Sequence, residues 1–253
     1  MRLAFNIAWR FLSSSKGQTA LIALGIAIGI SVQVFIGSLI AGLQNSLVDT
    51  TIGSSSQITV LSDDNNGRIS NYSSIINTIK ETDKNITEIS PAADASGFIK
   101  VDDSTYPILM RGFEINQADG IYKLKYELFE GALPANKEII LGKDFTTEIG
   151  LNVGDKVEIL TPFGKTEEVS LSGIYDLKVS NLNKTWAISN MQLVQDIFEY
   201  GDEVTGIETQ LEEVFEADIV ADKLTSTLPS TLKFCTLFTI KYIDNISGIK
   251  KYT

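Results

Sequence analysis

Apolar and polar positions change texture once along this chain. From Gly17 to Val48 no residue is charged, and Ala20 to Leu43 is almost all Ala, Ile, Leu, Val, Gly and Phe. A hydrocarbon layer roughly 30 Å thick needs about 20 apolar residues of helix to cross it. The run therefore predicts one spanning helix over 16–48. Beyond it, apolar residues recur every second or every third to fourth position, punctuated by Gly, Pro, Asn and Asp, which predicts a folded domain of mixed elements. Alternation predicts strands at Gln57–Leu61, Ile86–Ile89, Ala95–Val101 and Tyr106–Phe113. Helical spacing over Tyr72–Ile79 puts Ile75, Ile76 and Ile79 on one face. A second texture follows, rich in hairpins. It has strands at Glu138–Leu141, Lys156–Leu160, Glu168–Ile174 and Thr185–Ile188, and a short helix over Asp144–Gly150. The chain then returns to helix at Met191–Phe198, strand at Glu203–Leu211, and an amphipathic helix over Val214–Leu228 with Val214, Ile219, Val220 and Leu224 facing inward.

These elements predict an α+β fold with one N-terminal transmembrane helix. The outer region divides into an α/β subdomain, 49–110 and 200–230, with a β-rich subdomain, 111–199, inserted in it. Residues 231–253 read as an atypical tail, too short and too charged at Lys241 and Asp244 to span. About 180 residues between helix and tail are ample for a core.

Charge sets the expected orientation. Arg2, Arg10 and Lys16 precede the run with no acidic residue, and the first charge after it is Asp49. Basic flanks stay on the cytoplasmic side, so the N-terminus is expected inside and the domain outside, anchored in the cell membrane. A net charge of −11, of which the lead-in carries +3, leaves −14 for the rest. Such a domain lacks the basic footprint that nucleic acid requires. A cleaved signal peptide has an apolar stretch of about 7–15 residues before a small-x-small site; this run is longer and Leu39-Ile40-Ala41 is a poor site. Residues 1–15, with Leu3, Ile7 and Phe11 opposite Arg2, Asn6 and Arg10, fit either a cytoplasmic interfacial helix or a plain positive flank. Within the span, Gly25 and Gly29 form a GxxxG and Gln33 is the strongly polar residue. Small residues one turn apart let a second helix approach, and a mid-span amide favours a partner over lipid. Gly25, Gly29 and Gln33 are thus the candidate helix-packing residues.

The domain offers little catalytic chemistry. With no His, Ser-His-Asp catalysis and most zinc sites are excluded. The single Cys235 admits no internal disulfide. Gly164-Lys165-Thr166 resembles the end of a phosphate loop, but Ile159 stands where the first glycine is required, and the run reads as a hairpin turn. Asp63-Asp64-Asn65-Asn66-Gly67 lacks the spacing and closing Glu of a calcium loop and reads as a turn with Asx capping. No catalytic residue, metal site or cofactor is expected. Four Asn-x-Ser/Thr sequons are no more than chance in so Asn-rich a chain.

Several ordered segments resemble a family. Asn6-Ile7-Ala8-Trp9-Arg10 before Ala23–Ile30 is similar to the first helix of MacB-type ABC transporter permeases, a group that includes lipoprotein-releasing and FtsX-like permeases. Gly112-Phe113-Glu114, Glu130-Gly131-Ala132-Leu133-Pro134 and Glu138–Lys143 resemble its extracytoplasmic core. So do Ile149–Val157, Ser172–Tyr175 and Glu203–Glu208. The resemblance covers about residues 1–230. It implies a permease half that forms a homo- or heterodimer in the membrane and works with a cytoplasmic ABC ATPase, a separate subunit that would bind ATP. Its outer domain would couple ATPase-driven motion to export or to a partner. The family carries three further spans after the core, so the sequence is expected to be truncated. The alternatives are a stand-alone membrane-anchored binding or scaffolding module and, with least support, an anchored hydrolase.

Overall fold

A computed structural model of the chain describes residues 7, 9–10, 14, 16–47, 55–64 and 66–236. They belong to two compact units, Met1–Asp49 and Thr50–Thr253. Most of the lead-in 1–15 and of the tail 231–253 lies outside the described residues.

The first unit is dominated by helix α1, Lys16–Leu47, of 32 residues. A backbone in hydrocarbon must satisfy its own polar groups, which favours uninterrupted helix even where Ile, Val and Gly are frequent. At 1.5 Å per residue, the apolar portion Lys16–Ile40 is about 37 Å long, enough to cross a bilayer with some tilt.

The second unit is built on one sheet in the order β10-β1-β9-β2-β3-β8-β5-β7-β4, with β6 bridging β2 and β7. The strands are β1 Ile58–Ser62, β2 Ile86–Val101, β3 Ser104–Phe113, β4 Leu128–Gly131 and β5 Glu138–Gly142. They continue with β6 Lys156–Leu160, β7 Thr166–Tyr175, β8 Trp186–Asn190, β9 Gly206–Leu211 and β10 Leu232–Thr236. Because β6 pairs with both β2 and β7, the strands β2-β3-β8-β5-β7-β6 close into a ring. β10-β1-β9 extend from β2 as an open antiparallel flank. The helices are α2 Tyr72–Thr82, α3 Ile115–Tyr122, α4 Lys143–Ile149, α5 Ser180–Thr185, α6 Met191–Phe198 and α7 Ala217–Thr227. Ile79 of α2 and Val220 and Leu224 of α7 enter the larger core with Ile58, Ile99 and Met110. Burying one such side chain fully contributes roughly 1.5–3 kcal/mol. A smaller core gathers Phe113, Ile121, Tyr122, Ile140, Tyr175 and Ile188.

Several expectations from periodicity hold closely. The helices at 72 and 191 and the strands at 138 and 156 appear as read. The run Thr161–Lys165 is a hairpin turn: the Thr161 N–H donates to the Lys165 carbonyl at 2.9 Å, and Gly164 takes a φ of 85° that disfavours side chains. Four details differ. Ile86–Ile89 and Ala95–Val101 are parts of the single 16-residue strand β2. Ala217 and Ala221, with Val220 and Leu224, form the inner face of α7, while Ile219 falls outside that i, i+3, i+4, i+7 set and is exposed. Leu232–Thr236, read as tail, is a strand paired with β1. Asn66 forms an Asx turn to the Arg68 N–H at 3.1 Å, but Asn71 caps α2 without a side-chain bond. β3 runs through residue 110, and β2 hydrogen-bonds to strands on either side of that point.

Candidate functional site

The feature that organises the domain is a buried ionic cluster on β2, β3 and β9. Strand β3 alternates: Ile108 and Met110 face the larger core, while Arg111 and Phe113 face the smaller. Arg111 is paired directly across from Asp94 of β2. Its Nε and Nη2 donate to the two Asp94 carboxylate oxygens, each at 3.0 Å, in a bidentate fork. Nη2 also donates to Glu208 Oε1 of β9 at 2.6 Å. Nη1 donates to the Tyr122 hydroxyl of α3 at 3.1 Å, and that hydroxyl donates to Glu208 Oε2 at 2.7 Å. The guanidinium lies 4.1 Å from the centroid of the Trp186 ring and 4.7 Å from that of Phe113. The side chains of Arg111 and Glu208 are only 4% and 7% exposed.

Electrostatics follow from this enclosure. Burial opposes the charge on Arg111, yet Asp94 and Glu208 outweigh it and hold the guanidinium pKa well above its ordinary value. Burial pushes the Tyr122 phenol well up, with Glu208 adding to the effect, so it stays a neutral donor. One cation shared by two carboxylates, with every polar atom partnered, is a rigid fastening. Its carboxylates are all engaged, and only Asp94, 29% exposed at its side chain, reaches the surface among its three charged groups. The cluster ties the open flank, through β9, to the closed ring, through β2, β3 and Trp186 of β8, and to α3.

Two clefts open on the surface of the domain. One of about 410 Å³ is lined by Asn136, Lys137, Lys165, Glu167 and Asp196. Its lysines are engaged: Lys137 with Glu167 at 2.7 Å, Lys165 with the Asp196 carbonyl at 2.8 Å. The other, of about 460 Å³, is lined by Tyr72, Glu114, Gln195 and Asp202 among others. Neither assembles a base with a nucleophile. Among the described residues no group of three or more His, Cys, Asp or Glu is placed to hold a metal.

The candidate helix-packing residues are all on α1. Gly25 and Gly29 have open space where a Cβ would stand, and Gln33 is exposed. Spacing of four places the three along one row of the helix, and Gly37 continues it. Large apolar residues from Leu21 to Leu43 are 49–74% exposed all round α1. In water this surface would be strongly unfavourable; lipid removes the cost.

Sequence reading did not find the Arg111 cluster. Its signal was a lone arginine inside the apolar strand Ile108-Leu109-Met110-Arg111-Gly112-Phe113, since a charge there must meet a partner. The segments that carried the resemblance have tight structural roles. Gly154, at φ 98°, turns the chain into β6, and the Asn152 N–H donates to Asp155 Oδ2 at 2.8 Å. A Cβ on Gly112 would stand 2.9 Å from Val194 of α6. Glycine there lets α6 lie against β3.

Comparison with known proteins places this geometry. Residues 19–227 match the family model described as MacB-like periplasmic core domain. The lipoprotein-releasing system transmembrane protein LolC from two strains of Xylella fastidiosa is 25% identical over 213 residues, covering 79% of this chain and 50% of the relative. The chain thus spans about half the length of the curated relatives it matches. The extracellular domain of the noncanonic ABC-type transporter YknZ from Gram-positive bacteria superposes with a TM-score of 0.50 at 12% identity, over 71% of this chain and 99% of that one. The periplasmic region of MacB from Actinobacillus actinomycetemcomitans gives 0.49 at 14% identity, over 82% and 99%. At 12% identity the likeness to the YknZ domain is one of fold.

Proposed function

This chain belongs to the MacB-like periplasmic core domain family, and from that premise we propose that it is a permease subunit of an ABC-type transporter or mechanotransmission complex. In this reading α1 spans the cell membrane with its N-terminus in the cytoplasm, and the domain from Thr50 onward lies outside. A separate cytoplasmic ATPase subunit binds ATP; this chain binds none and catalyses nothing. Two permease chains, alike or different, pair in the membrane, and Gly25, Gly29 and Gln33 offer one packing row for that contact. The outer domain relays displacement of the spans to cargo or to a partner. The observation that carries the reading is the extent of the family match, which takes in both most of α1 and the folded domain. The Arg111 cluster supports it, because a domain that transmits motion must not absorb it between its flank and its ring.

Two measurements test this. In a Cys235→Ser background, single cysteines replace Ser14 and the hairpin-tip residue Phe163, which is 91% exposed. A membrane-impermeant maleimide added to intact cells should label Phe163→Cys and spare Ser14→Cys until lysis; the reverse pattern overturns the topology. Co-purification with a cytoplasmic ABC ATPase of the host is expected. Its absence, with the topology intact, favours the stand-alone anchored binding or scaffolding module instead.

A further inference from the structure

After β9 the chain turns outward, and two apolar side chains are left on the surface. Phe215 is 74% exposed and Ile219, four residues on, is 56% exposed. The inner face of α7 is complete without them, formed by Ala217, Val220, Ala221 and Leu224. Phe215 and Ile219 are therefore a separate apolar pair on the outer side of this segment, not a missing part of the core.

Their surroundings are acidic. Glu212, Glu213, Glu216, Asp218 and Asp222 are all exposed. None of the five has a salt-bridge partner among the described residues, and the neighbouring Lys223 is held by Asp83 at 2.6 Å. Asp218 accepts from the Thr236 hydroxyl at 2.8 Å and Glu216 from the Asn85 amide at 3.3 Å, both uncharged donors. Lys223 also feels the charge of Glu216, but one lysine shared with Asp83 leaves an excess of negative charge on the five carboxylates. The patch sits at the end of the domain where the chain comes in and where β10 ends: the Leu211 N–H donates to the Gln57 side chain at 2.8 Å, and Ile58 pairs with Thr236.

We propose that Phe215 and Ile219, with their acidic surround, form a docking surface for a protein segment that carries apolar side chains flanked by lysine or arginine. A small apolar centre with a charged rim is the anatomy of a protein interface. The charge selects the occupant. An anionic lipid surface would be repelled by five carboxylates. A second copy meeting this face through a twofold axis would oppose like charges. A basic, apolar peptide satisfies both the pair and the rim. This inference stands apart from ATPase coupling, since it concerns what the outer domain grips.

The test uses the full chain in phosphatidylcholine nanodiscs and a fluorescent amphipathic peptide of leucine and lysine, with a leucine–glutamate peptide and empty nanodiscs as references. The leucine–lysine peptide should bind above empty nanodiscs, with an affinity that falls as salt rises, and the glutamate peptide should not. Phe215→Ser with Ile219→Ser should weaken binding about tenfold or more. Glu212→Gln, Glu213→Gln and Asp222→Asn together should remove most of the salt dependence. Unchanged thermal midpoints in both variants show that the fold is intact, as expected for exposed positions. Binding indifferent to Phe215 and Ile219, or no binding above empty nanodiscs, overturns the proposal. So does hydrogen-exchange protection of residues 212–222 by phosphatidylglycerol nanodiscs without peptide, which would assign the surface to lipid. The peptide titration needs no ATPase, so its failure is distinct from failure of the permease reading.

Discussion

Replacing Arg111 by Leu should be among the most damaging single changes in the domain. The variant loses the bidentate bond to Asp94, the 2.6 Å bond to Glu208 and the bond to Tyr122. More important, it strands the Glu208 carboxylate, whose side chain is 7% exposed. Removing one partner of a buried ion pair costs about 3–5 kcal/mol, because the remaining charge is uncompensated. Against a typical total of about 5–15 kcal/mol, that is a large fraction. For a domain of this size, each kcal/mol moves the midpoint by about 2–4 °C, so a fall of roughly 6–20 °C is expected. The assay is thermal unfolding of the detergent-solubilised chain, followed by Trp186 fluorescence in a Trp9→Phe background, since the sequence holds two tryptophans and Trp186 contacts Arg111. Adding Glu208→Gln to Arg111→Leu should recover part of the loss by removing the stranded charge. A shift under about 2 °C, within the effect of an ordinary surface substitution, would refute the fastening role. A full shift with no rescue by Glu208→Gln would refute its electrostatic cause and leave lost packing as the reason.

Three further outcomes are expected. Gly142→Ala places a methyl against the backbone of Asn183; neither β5 nor α5 can yield cheaply, so a loss of about 1–3 kcal/mol is expected in the same unfolding assay. Asp83 is held below the usual aspartate pKa by hydrogen bonds from Lys223 and the Asn85 N–H. Burial opposes ionisation of Asp176, but hydrogen bonds from Lys178 and Asn183 outweigh it and lower that pKa too. Both contributions are complete above the ordinary value near 3.8 and vanish as pH falls through the depressed folded values. Asp83→Asn and Asp176→Asn should therefore flatten the acid limb of the stability–pH curve. Gly25→Leu with Gly29→Leu fills the open row on α1; resonance energy transfer between labelled copies in liposomes should show association weakened about tenfold, near 1.4 kcal/mol, if that row packs against another permease.

Local chemistry was legible where neighbours along the chain decide the outcome. The uninterrupted apolar run gave α1, the Pro-Phe-Gly turn gave the β6–β7 hairpin, and helical spacing gave α2 and α6. β2 was misread as two strands because Pro91 and the small residues after it resemble a linker. Proline is tolerated there for a reason seen only in three dimensions. The Ala92 carbonyl accepts from the Thr205 N–H on the β9 side, so alternation turns the donorless Pro91 nitrogen toward β3. That strand ends at Phe113, opposite Ala92, and no ladder bond is lost. Ile219 was assigned inward because it is a large apolar residue beside Val220, while the small Ala217 and Ala221 that complete the inner face carry little hydrophobic signal.

By itself, the sequence determined the long apolar helix, the mixed α+β character, the absence of His and of an internal disulfide, and most helices and hairpins. Each of these depends on composition or on residues within a few positions of one another, where periodicity reports burial directly. Only the tertiary structure decided that the strands close a ring on β2, and that Asp94, Arg111, Tyr122, Trp186 and Glu208 meet in one buried cluster. Those partners come from strands and helices up to 114 positions apart, counted from Asp94 to Glu208. The ladder that joins them obeys register and packing, and a one-residue slip of β3 would turn Arg111 to the opposite face and dissolve the cluster.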